Sequence, residues 1–254
     1  MIRYASLGSG SKGNATLVEA GGTRLLLDCG FSVAELERRM LRLGCAAEDL
    51  TAIVVTHEHA DHIGGVARLS RKYRLPVWLT AGTLAAARDT DFEAIEVFHA
   101  HGRFAIGGLE LEPFPVPHDA REPCQFVFGD GAARLGVLTD VGHVTPHIVE
   151  VLSGCDALLL ECNYDPRLLS TGPYPPALKE RVGGRYGHLA NDQATELLRS
   201  IDRTRLAQVI GMHLSENNNT PELALAALRA GLGASVESVE VACQEQGFGW
   251  RELR

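Results

Sequence analysis

The segment "AIVVTHEHADHIGG" places four potential metal-binding side chains directly after a run of aliphatic residues: His57, His59, Asp61 and His62. Alternate residues of an extended segment point the same way, so His57 and His59 can reach one metal ion. Asp61 and His62, after a bend into a helix expected to begin near Ile63, can reach a second. A histidine-rich surface loop is the alternative, but it would leave these closely spaced ligand groups without a function.

The ligand types of this H-x-H-x-D-H pattern predict hydrolytic chemistry. Imidazole and carboxylate without thiolate suit zinc, manganese or iron. A bound divalent ion lowers the pKa of its water to about 7, which makes a hydroxide nucleophile available at neutral pH. Asp61 is the candidate to orient that hydroxide.

Strand and helix signals alternate irregularly around the motif. Aliphatic runs that end in a polar or turn residue predict strands at "RLLLD", "AIVVT", "LELEPF", "ARLGVLT", "ALLLE" and "AQVIGMH". Ser32 and Glu35 predict a capping box for a helix that Gly44 ends, and Thr145 and Thr220, each followed by proline, predict two further helix starts. This mixed order favours sheets sandwiched between helices over a regular βαβ repeat.

A second pattern near the start of the chain is typical of dinucleotide-binding proteins. The residues from Gly8 to Gly13 read G-x-G-x-x-G, and Asp28 follows further on. That fingerprint needs a helix after its third glycine. Two β-rich runs joined at Gly21 and Gly22 follow instead and predict a hairpin, so we reject nucleotide binding.

Composition and charge indicate an ordinary globular protein. The chain has 254 residues, 45% hydrophobic and 22% charged, and we expect one domain over residues 1–254. Its net charge of -8 argues against a nucleic-acid coat protein but allows a local basic rim. The six cysteines form no C-x-x-C pair, which indicates reduced thiols. Neither a signal peptide nor a run of about 18 apolar residues is recognisable, so we expect a soluble, cytoplasmic protein without membrane contact.

The pattern T-H-x-H-x-D-H-x-G-G after an aliphatic strand resembles the signature of the metallo-β-lactamase fold superfamily. The resemblance implies an α/β fold, the αβ/βα four-layer sandwich in which helices flank two mixed β-sheets. It also implies a later histidine, an aspartate after a strand and a final histidine, to which His118, Asp140 and His213 correspond. With Asp140 shared, one ion is expected at His57, His59, His118 and Asp140, and a second at Asp61, His62, Asp140 and His213.

Further segments narrow the resemblance to one branch. "LGSGSKGNA", "GPYPPALKERV", "GHLAND" and "HLSENNNTPELA" are similar to the YycJ/WalJ-like branch, whose members are linked to 5′-to-3′ exonuclease activity on DNA. A phosphodiesterase of the phosphonate pathway that acts on a cyclic ribose phosphate shows a similar loop. In that pattern a histidine that is not a ligand contacts the phosphate or protonates the leaving group, and His188 is the matching position.

Two segments are predicted to contact the substrate. In this fold the first hairpin lies beside the metal site, so the glycine-rich loop would offer backbone N–H groups and the side chains of Ser9, Ser11 and Asn14 to a phosphate. The segment "YDPRLLSTGPYPPALKERVGGRYG" is expected to be a long functional loop or lid. Its basic residues, Lys179, Arg181 and Arg185, would form the rim that follows a polyanion.

Together these features predict a binuclear, metal-dependent phosphodiester hydrolase, most simply a 5′-to-3′ DNA exonuclease that uses a metal-bound hydroxide, with Asp61 and His188 as catalytic residues. The first alternative is a small-molecule hydrolase of the same fold: a cyclic-phosphate phosphodiesterase, or a lactonase or thioesterase, which would not need the basic rim. The second is a metal-bound interaction protein without catalysis, which would not need a full ligand set.

Overall fold

The computed structural model describes residues 1–233 and 238–253, and two seven-stranded β-sheets form its centre. In chain order the strands are β1 Ile2–Gly8, β2 Ala15–Ala20, β3 Thr23–Leu27, β4 Ala52–Val54, β5 Pro76–Thr80, β6 Ala94–Phe98, β7 Phe104–Ile106, β8 Leu109–Pro115, β9 Cys124–Gly129, β10 Arg134–Leu138, β11 Ala157–Glu161, β12 Gln208–Met212, β13 Ser238–Val241 and β14 Phe248–Leu253. All six aliphatic runs singled out in the sequence lie on strands.

Both sheets are mixed, as predicted. The first has the order β14-β1-β2-β3-β4-β5-β6 and the second the order β13-β12-β11-β10-β9-β8-β7. In the first sheet β3 to β6 are parallel, and β14, β1, β2 and β3 pair antiparallel. In the second, β10 to β13 are parallel and β7 to β10 antiparallel. Gly21 and Gly22, at φ values of 57° and 83°, make the predicted turn between β2 and β3.

The helices follow signals that the sequence carries. They are α1 Val33–Arg42, α2 Ala60–Ile63, α3 Val66–Tyr73, α4 Ala81–Ala86, α5 Pro146–Leu152, α6 Pro166–Thr171, α7 Pro176–Val182, α8 Asn191–Ser200 and α9 Pro221–Leu232, with a single 3₁₀ turn at Ala47–Asp49. The hydroxyls of Ser32, Thr145 and Thr220 cap α1, α5 and α9 as expected. None of the helices in the described ranges is long and apolar enough to cross a membrane.

One half of the capping box predicted for α1 is not formed. Ser32 Oγ accepts a hydrogen bond from the N–H of Glu35. The Glu35 carboxylate does not turn back toward Ser32 but pairs with Arg38 and Arg39. Arg39 is itself buried and donates to the carbonyl of Leu7, so the ion pair ties α1 to β1. The tertiary contact therefore replaces the local one.

Three apolar layers confirm the four-layer sandwich. Side chains from both sheets, including Tyr4, Leu111 and Phe126, pack between the sheets. A second layer lies between the first sheet and helices α1 and α3. The third lies between the second sheet and helices α5, α8 and α9. Burial of these side chains is the main stabilising contribution to the fold.

The proline-rich segment predicted to be a loop is instead two short helices, α6 and α7. Pro166 and Pro176 occupy first-turn positions, where a missing N–H costs nothing. Asp165 caps α6 by accepting from two backbone N–H groups. Here proline marks the start of a helix, which the composition of the segment concealed.

Candidate active site

The polar side chains of the site follow strands that run parallel within their sheet. Asp28 follows β3 and His57 lies shortly after β4 in the first sheet. In the second sheet Asp140 lies just beyond β10, Glu161 ends β11 and His213 follows β12. The carboxyl ends of parallel strands meet at one edge of a sheet, which is where α/β proteins bind ligands. The two edges face a common groove.

Three of these residues have left-handed backbone conformation. The φ values are 61° at Asp28, 53° at Asp140 and 55° at His213. In the described part of the chain, Arg74 is the one other non-glycine residue with positive φ. This region is sparsely populated by residues with a Cβ, and such residues concentrate at functional sites. The turn takes the chain out of the strand at once and leaves the side chain at this edge of the sheet.

The second half of the H-x-H-x-D-H motif lies in a helix that begins earlier than the sequence predicted and packs closely against Gly30. Helix α2 begins at Ala60, before the predicted start at Ile63, so Asp61 and His62 lie in its first turn. Gly30 packs against this turn, and a Cβ on Gly30 would lie 2.0 Å from the carbonyl oxygen of Asp61. The close approach explains why glycine occupies position 30.

The predicted ligands lie in overlapping groups whose donor atoms are all within 4.8 Å of one another. The groups are His57, His59 and His118; Asp61, His62 and His213; His57, His62 and Asp140; and Asp140, Glu161, His188 and His213. The structure thus brings together all seven residues expected to bind metal. It adds Glu161 and His188, the histidine predicted not to be a ligand, to them.

Asp140 occupies the centre of the cluster. Its Oδ2 is 3.2 Å from His62 Nε2, and its Oδ1 is 3.9 Å from His118 Nε2. The carboxylate is 3% exposed. A ligand shared between two ions would need this position between the two histidine groups.

Within the described residues, 1–233 and 238–253, three buried atoms of the cluster have no hydrogen-bond partner at a suitable distance and angle. They are His57 Nε2, Asp140 Oδ2 and His213 Nε2. Burying such groups without a partner costs about 1–3 kcal/mol each. Imidazole nitrogens and a carboxylate are also the donors that zinc and manganese bind. The residues therefore fit divalent cations.

Burial and charge divide the histidines into two kinds. Burial, with the neighbouring imidazole of His62, lowers the pKa of His57 well below its ordinary value, and burial also lowers the pKa of His118. Burial acts in the same direction at His213, but the carboxylates of Asp140, Asp61 and Glu161 outweigh it and raise the pKa to about 10. A protonated His213 would balance these buried carboxylates in the absence of metal. Metal binding would release that proton.

Asp28 is a supporting residue that sequence reasoning missed. Its Oδ2 accepts from His62 Nδ1 at 2.8 Å and from Thr56 Oγ1 at 2.9 Å, and its Oδ1 accepts from the N–H of Thr56 at 2.8 Å. These bonds leave His62 Nε2 directed at Asp140 and Asp61. A carboxylate that holds the second nitrogen of a ligating imidazole fixes its tautomer and raises its basicity.

We expect Asp28→Asn to weaken metal binding by about 10- to 100-fold, because the imidazole of His62 loses its charged partner. Competition with a chromogenic chelator measures the change. Asp89→Asn, at an exposed carboxylate that pairs with Arg71, is the matched control and should leave affinity unchanged. Equal affinity in Asp28→Asn and the wild type would contradict the supporting role.

Glu161 links two histidines on the other side of the cluster. Its Oε1 accepts from His188 Nδ1 at 2.8 Å and lies 3.2 Å from His213 Nδ1. Its Oε2 accepts from the N–H groups of Val141 and Leu189. The strand "ALLLE" ends at this residue, and a charged residue at the end of a fully apolar strand was the signal that could have identified it.

A pocket of about 380 Å³ opens onto the cluster. His59, Asp61, His118, Asp140, His188 and His213 form one wall. Tyr174, Leu178 and Val182, from α7 and the turn before it, line the pocket as well. His188 presents its ring there with Nδ1 bound to Glu161, so Nε2 is the nitrogen left for a substrate. A larger cavity of about 500 Å³, lined by Met1, Arg3 and the β2–β3 turn, contains none of these groups.

The glycine-rich loop contributes one side chain to the pocket, that of Ser11. Ser9 is 2% exposed, and its hydroxyl accepts from the N–H of His213 at 2.8 Å. Asn14 is also buried, and its N–H donates to the carbonyl of Asp61. The structure thus gives Ser9 and Asn14 contacts with the backbone of two predicted metal ligands, His213 and Asp61.

The backbone of this loop is bonded within the protein. The N–H of Gly10 donates to Asn14 Oδ1 and that of Lys12 to Gln244 Oε1. The N–H of Gly13 donates to the carbonyl of Gly10. These three groups are not free to cradle a phosphate, so the predicted anion loop is reduced to Ser11.

The basic residues differ in position. Arg181 lines the pocket, and its Nε donates to Asp119 Oδ2 at 2.7 Å. Lys179 donates to the carbonyl of Ser170 and Arg185 is exposed; neither lines the pocket. Of these three residues, Arg181 is therefore the one at the pocket.

The fold and the donor cluster define a metal-dependent hydrolase of the metallo-β-lactamase type. Comparisons with known proteins agree. The family model described as "Beta-lactamase superfamily domain" matches residues 23–214. The solved structure of the metallo-β-lactamase fold protein YhfI from Bacillus subtilis superposes with a TM-score of 0.77 at 16% identity, covering 99% of each chain, which shows the shared fold.

Two relatives of similar length narrow the family within this superfamily. The chain is 33% identical to exodeoxyribonuclease YycJ of Bacillus anthracis, over 98% of this chain and 91% of that protein. It is 32% identical to exodeoxyribonuclease WalJ of Streptococcus pneumoniae, over 88% of this chain and 85% of that protein. The chain belongs to the YycJ/WalJ family of the β-lactamase superfamily.

Proposed function

We propose that this enzyme hydrolyses phosphodiester bonds in DNA, as a 5′-to-3′ exonuclease with two divalent ions, zinc or manganese before iron. The observation that carries the proposal is the His188–Glu161 pair: His188 lines the pocket at the donor cluster, and the buried Glu161 carboxylate accepts from its Nδ1. The similarity to two exodeoxyribonucleases over most of the chain supports it.

The His188–Glu161 pair suits a poor leaving group. Release of a nucleotide from DNA breaks a P–O bond to a sugar oxygen, which leaves as an alkoxide unless it gains a proton. Glu161 orients His188 through Nδ1, so Nε2 can donate that proton. A thioester releases a thiolate that needs no such help, so the pair favours the phosphodiester over the thioesterase alternative.

In the proposed hydrolysis, Asp61 and His188 assist the attack of water and the departure of the sugar oxygen. The ions, when bound, make water more acidic and offset the charge of the phosphoryl oxygens. His57, His59, His118 and Asp140 would hold one, and Asp61, His62, Asp140 and His213 the other. Asp61 orients the attacking water, whose oxygen bonds to phosphorus as its proton passes to solvent, and the bond from phosphorus to the sugar oxygen breaks as His188 protonates that oxygen. Solvent returns the proton to His188.

Arg181 supports a polyanionic substrate. It is 62% exposed at the pocket that contains the donor cluster, and Asp119 holds its guanidinium there. A neutral lactone would gain nothing from this cation. Ser11 is the loop residue placed to contact a phosphate oxygen, whereas roles for Lys179 and Arg185 would require a strand that extends beyond the pocket. A DNA substrate also leads us to propose a cytoplasmic location.

We treat residues 1–254 as one catalytic domain, because the layer between the sheets draws side chains from the first and the last strands as well as the middle ones. The donors come from both sheets. In the ligand assignment given above, each ion takes ligands from both sheets.

The substrate assignment is tested with DNA labelled at either end, in linear and closed circular forms. We expect stepwise release of label from the 5′ end and slow or no cutting of the circle. Rapid cutting of the circle would overturn the exonuclease assignment. Turnover of a lactone or cyclic phosphate without cleavage of any nucleic acid would transfer the assignment to the small-molecule alternative.

The role of Arg181 is tested by charge reversal. Arg181→Glu should weaken DNA binding and reduce the slope of log affinity against log salt by about 0.7–0.9, the value for one neutralised phosphate. Hydrolysis of a small chromogenic phosphodiester should change little. Arg229→Glu, an exposed arginine on α9 that does not line the pocket, is the control. An unchanged salt slope in Arg181→Glu would exclude a phosphate contact there.

A further inference from the structure

The wall of the pocket formed by Tyr174, Leu178 and Val182 is apolar, although the rest of the pocket is rich in charge. Leu178 and Val182 are four residues apart on α7, so they share one face of that helix. The reaction proposed above uses none of the three. A phosphate alone would not need an apolar surface beside the metal cluster.

Tyr174 is held in place from two sides. Asn217 Nδ2 donates to its hydroxyl at 3.1 Å. Its ring packs, together with Val182, against the small core of Tyr164, Leu169 and Ala190. A ring fixed in this way loses little conformational entropy when a ligand stacks on it.

We propose that this wall binds the base of the 5′-terminal nucleotide, with the ring of Tyr174 as its stacking surface. The inference rests on the proposed function and adds a subsite to it. A ligand of this pocket must carry an anionic group toward the histidines and a flat apolar group toward Tyr174, and a nucleotide has both. The volume of about 380 Å³ is near the lower end for small-molecule sites, which suits one nucleotide better than a length of strand.

The chemistry of the wall predicts binding without sequence preference. Its one polar group, the Tyr174 hydroxyl, is engaged by Asn217. Stacking on an aromatic ring accepts every base, because every base has a π-face. An enzyme that removes successive nucleotides from any strand needs this tolerance.

The test compares two 5′-phosphorylated single-stranded oligonucleotides of one sequence, one with a normal first nucleotide and one with an abasic tetrahydrofuran analogue there. Stacking contributes about 1–3 kcal/mol per base, so the wild type should release the normal first nucleotide with a kcat/KM about 5- to 150-fold higher. Tyr174→Ala should reduce this ratio to within about threefold of unity.

Two variants separate stacking from folding. Tyr174→Phe keeps the ring and should keep the discrimination even though Asn217 loses its acceptor. Tyr186→Ala removes an exposed tyrosine that lies between α7 and α8 and does not line the pocket. This variant should behave as the wild type. Turnover of a small phosphodiester reports that each variant is folded and loaded with metal.

Equal release of normal and abasic first nucleotides by the wild type would overturn the base subsite and leave the exonuclease assignment intact. Discrimination that survives in Tyr174→Ala would also overturn it, because the base would then be recognised elsewhere. Failure to cleave either oligonucleotide, beside turnover of the small phosphodiester, would overturn the proposed function and the subsite with it.

Discussion

His59→Ala should lose at least one of two metal ions per chain and lower hydrolysis by about three orders of magnitude or more, because a Lewis acid contributes several kcal/mol to the reaction. His59 precedes α2, and its side chain is 28% exposed, so alanine leaves no cavity in the core. Its Nδ1 lies 3.3 Å from His118 Nε2, in the group that includes His57. The expected loss of activity should therefore come from the missing metal ligand and not from unfolding of the protein.

Elemental analysis by mass spectrometry, on protein stripped with a chelator and reloaded, measures this effect. The wild type should approach two equivalents and His59→Ala one or fewer. His101→Ala is the matched control, since that ring is exposed and lies against His147 outside the cluster. Full metal content together with full activity in His59→Ala would refute the ligand assignment.

His188→Ala should keep both ions and lower kcat by about 10²- to 10⁴-fold, the usual contribution of a general acid. The loss of kcat should be much smaller for a p-nitrophenyl phosphodiester, because p-nitrophenolate leaves without needing a proton. Glu161→Gln should lower kcat in the same direction, since the amide cannot balance the charge of a protonated His188. Rates on both substrates, together with metal content, give the result.

His143→Ala is the control for this pair. His143 Nδ1 contacts the carbonyl of Arg185, near His188 in sequence, but the ring does not line the pocket. If His188→Ala lost metal, His188 would be a ligand and the assignment of His213 would need revision. An equal loss of rate on DNA and on the p-nitrophenyl ester would remove proton donation from its role.

The buried strands and the metal-site motif were predictable from local sequence. A run such as "ALLLE" is buried on both faces, so its composition alone identifies a strand. Strand β6, by contrast, lies at a sheet edge with four of its five residues exposed, and no aliphatic run marks it. Strand β14 pairs with β1 across nearly the whole chain, and no local signal encodes that pairing.

The grouping of the candidate ligands was predictable where one short segment carries several of them, and not where distant residues meet. Asp28 was noticed as part of a nucleotide fingerprint, yet its partner is His62, which a parallel strand pair brings beside it. Glu161 was seen as the end of a strand, and its role depends on His188 and His213. Such supporting contacts are set by packing between elements, which the order of residues does not display.

The left-handed turns at positions 28, 140 and 213 also bear on how such proteins diverge. Glycine has the lowest conformational cost at positive φ, so selection for stability alone would favour it at all three positions. Two carboxylates and an imidazole stand there instead, and each contributes a polar side chain to the candidate site that glycine could not supply. A descendant that carried glycine at all three would be expected to keep the sandwich and to have abandoned hydrolysis. These three positions would therefore distinguish, within a lineage, the scaffolds that still act as enzymes from those recruited for other purposes.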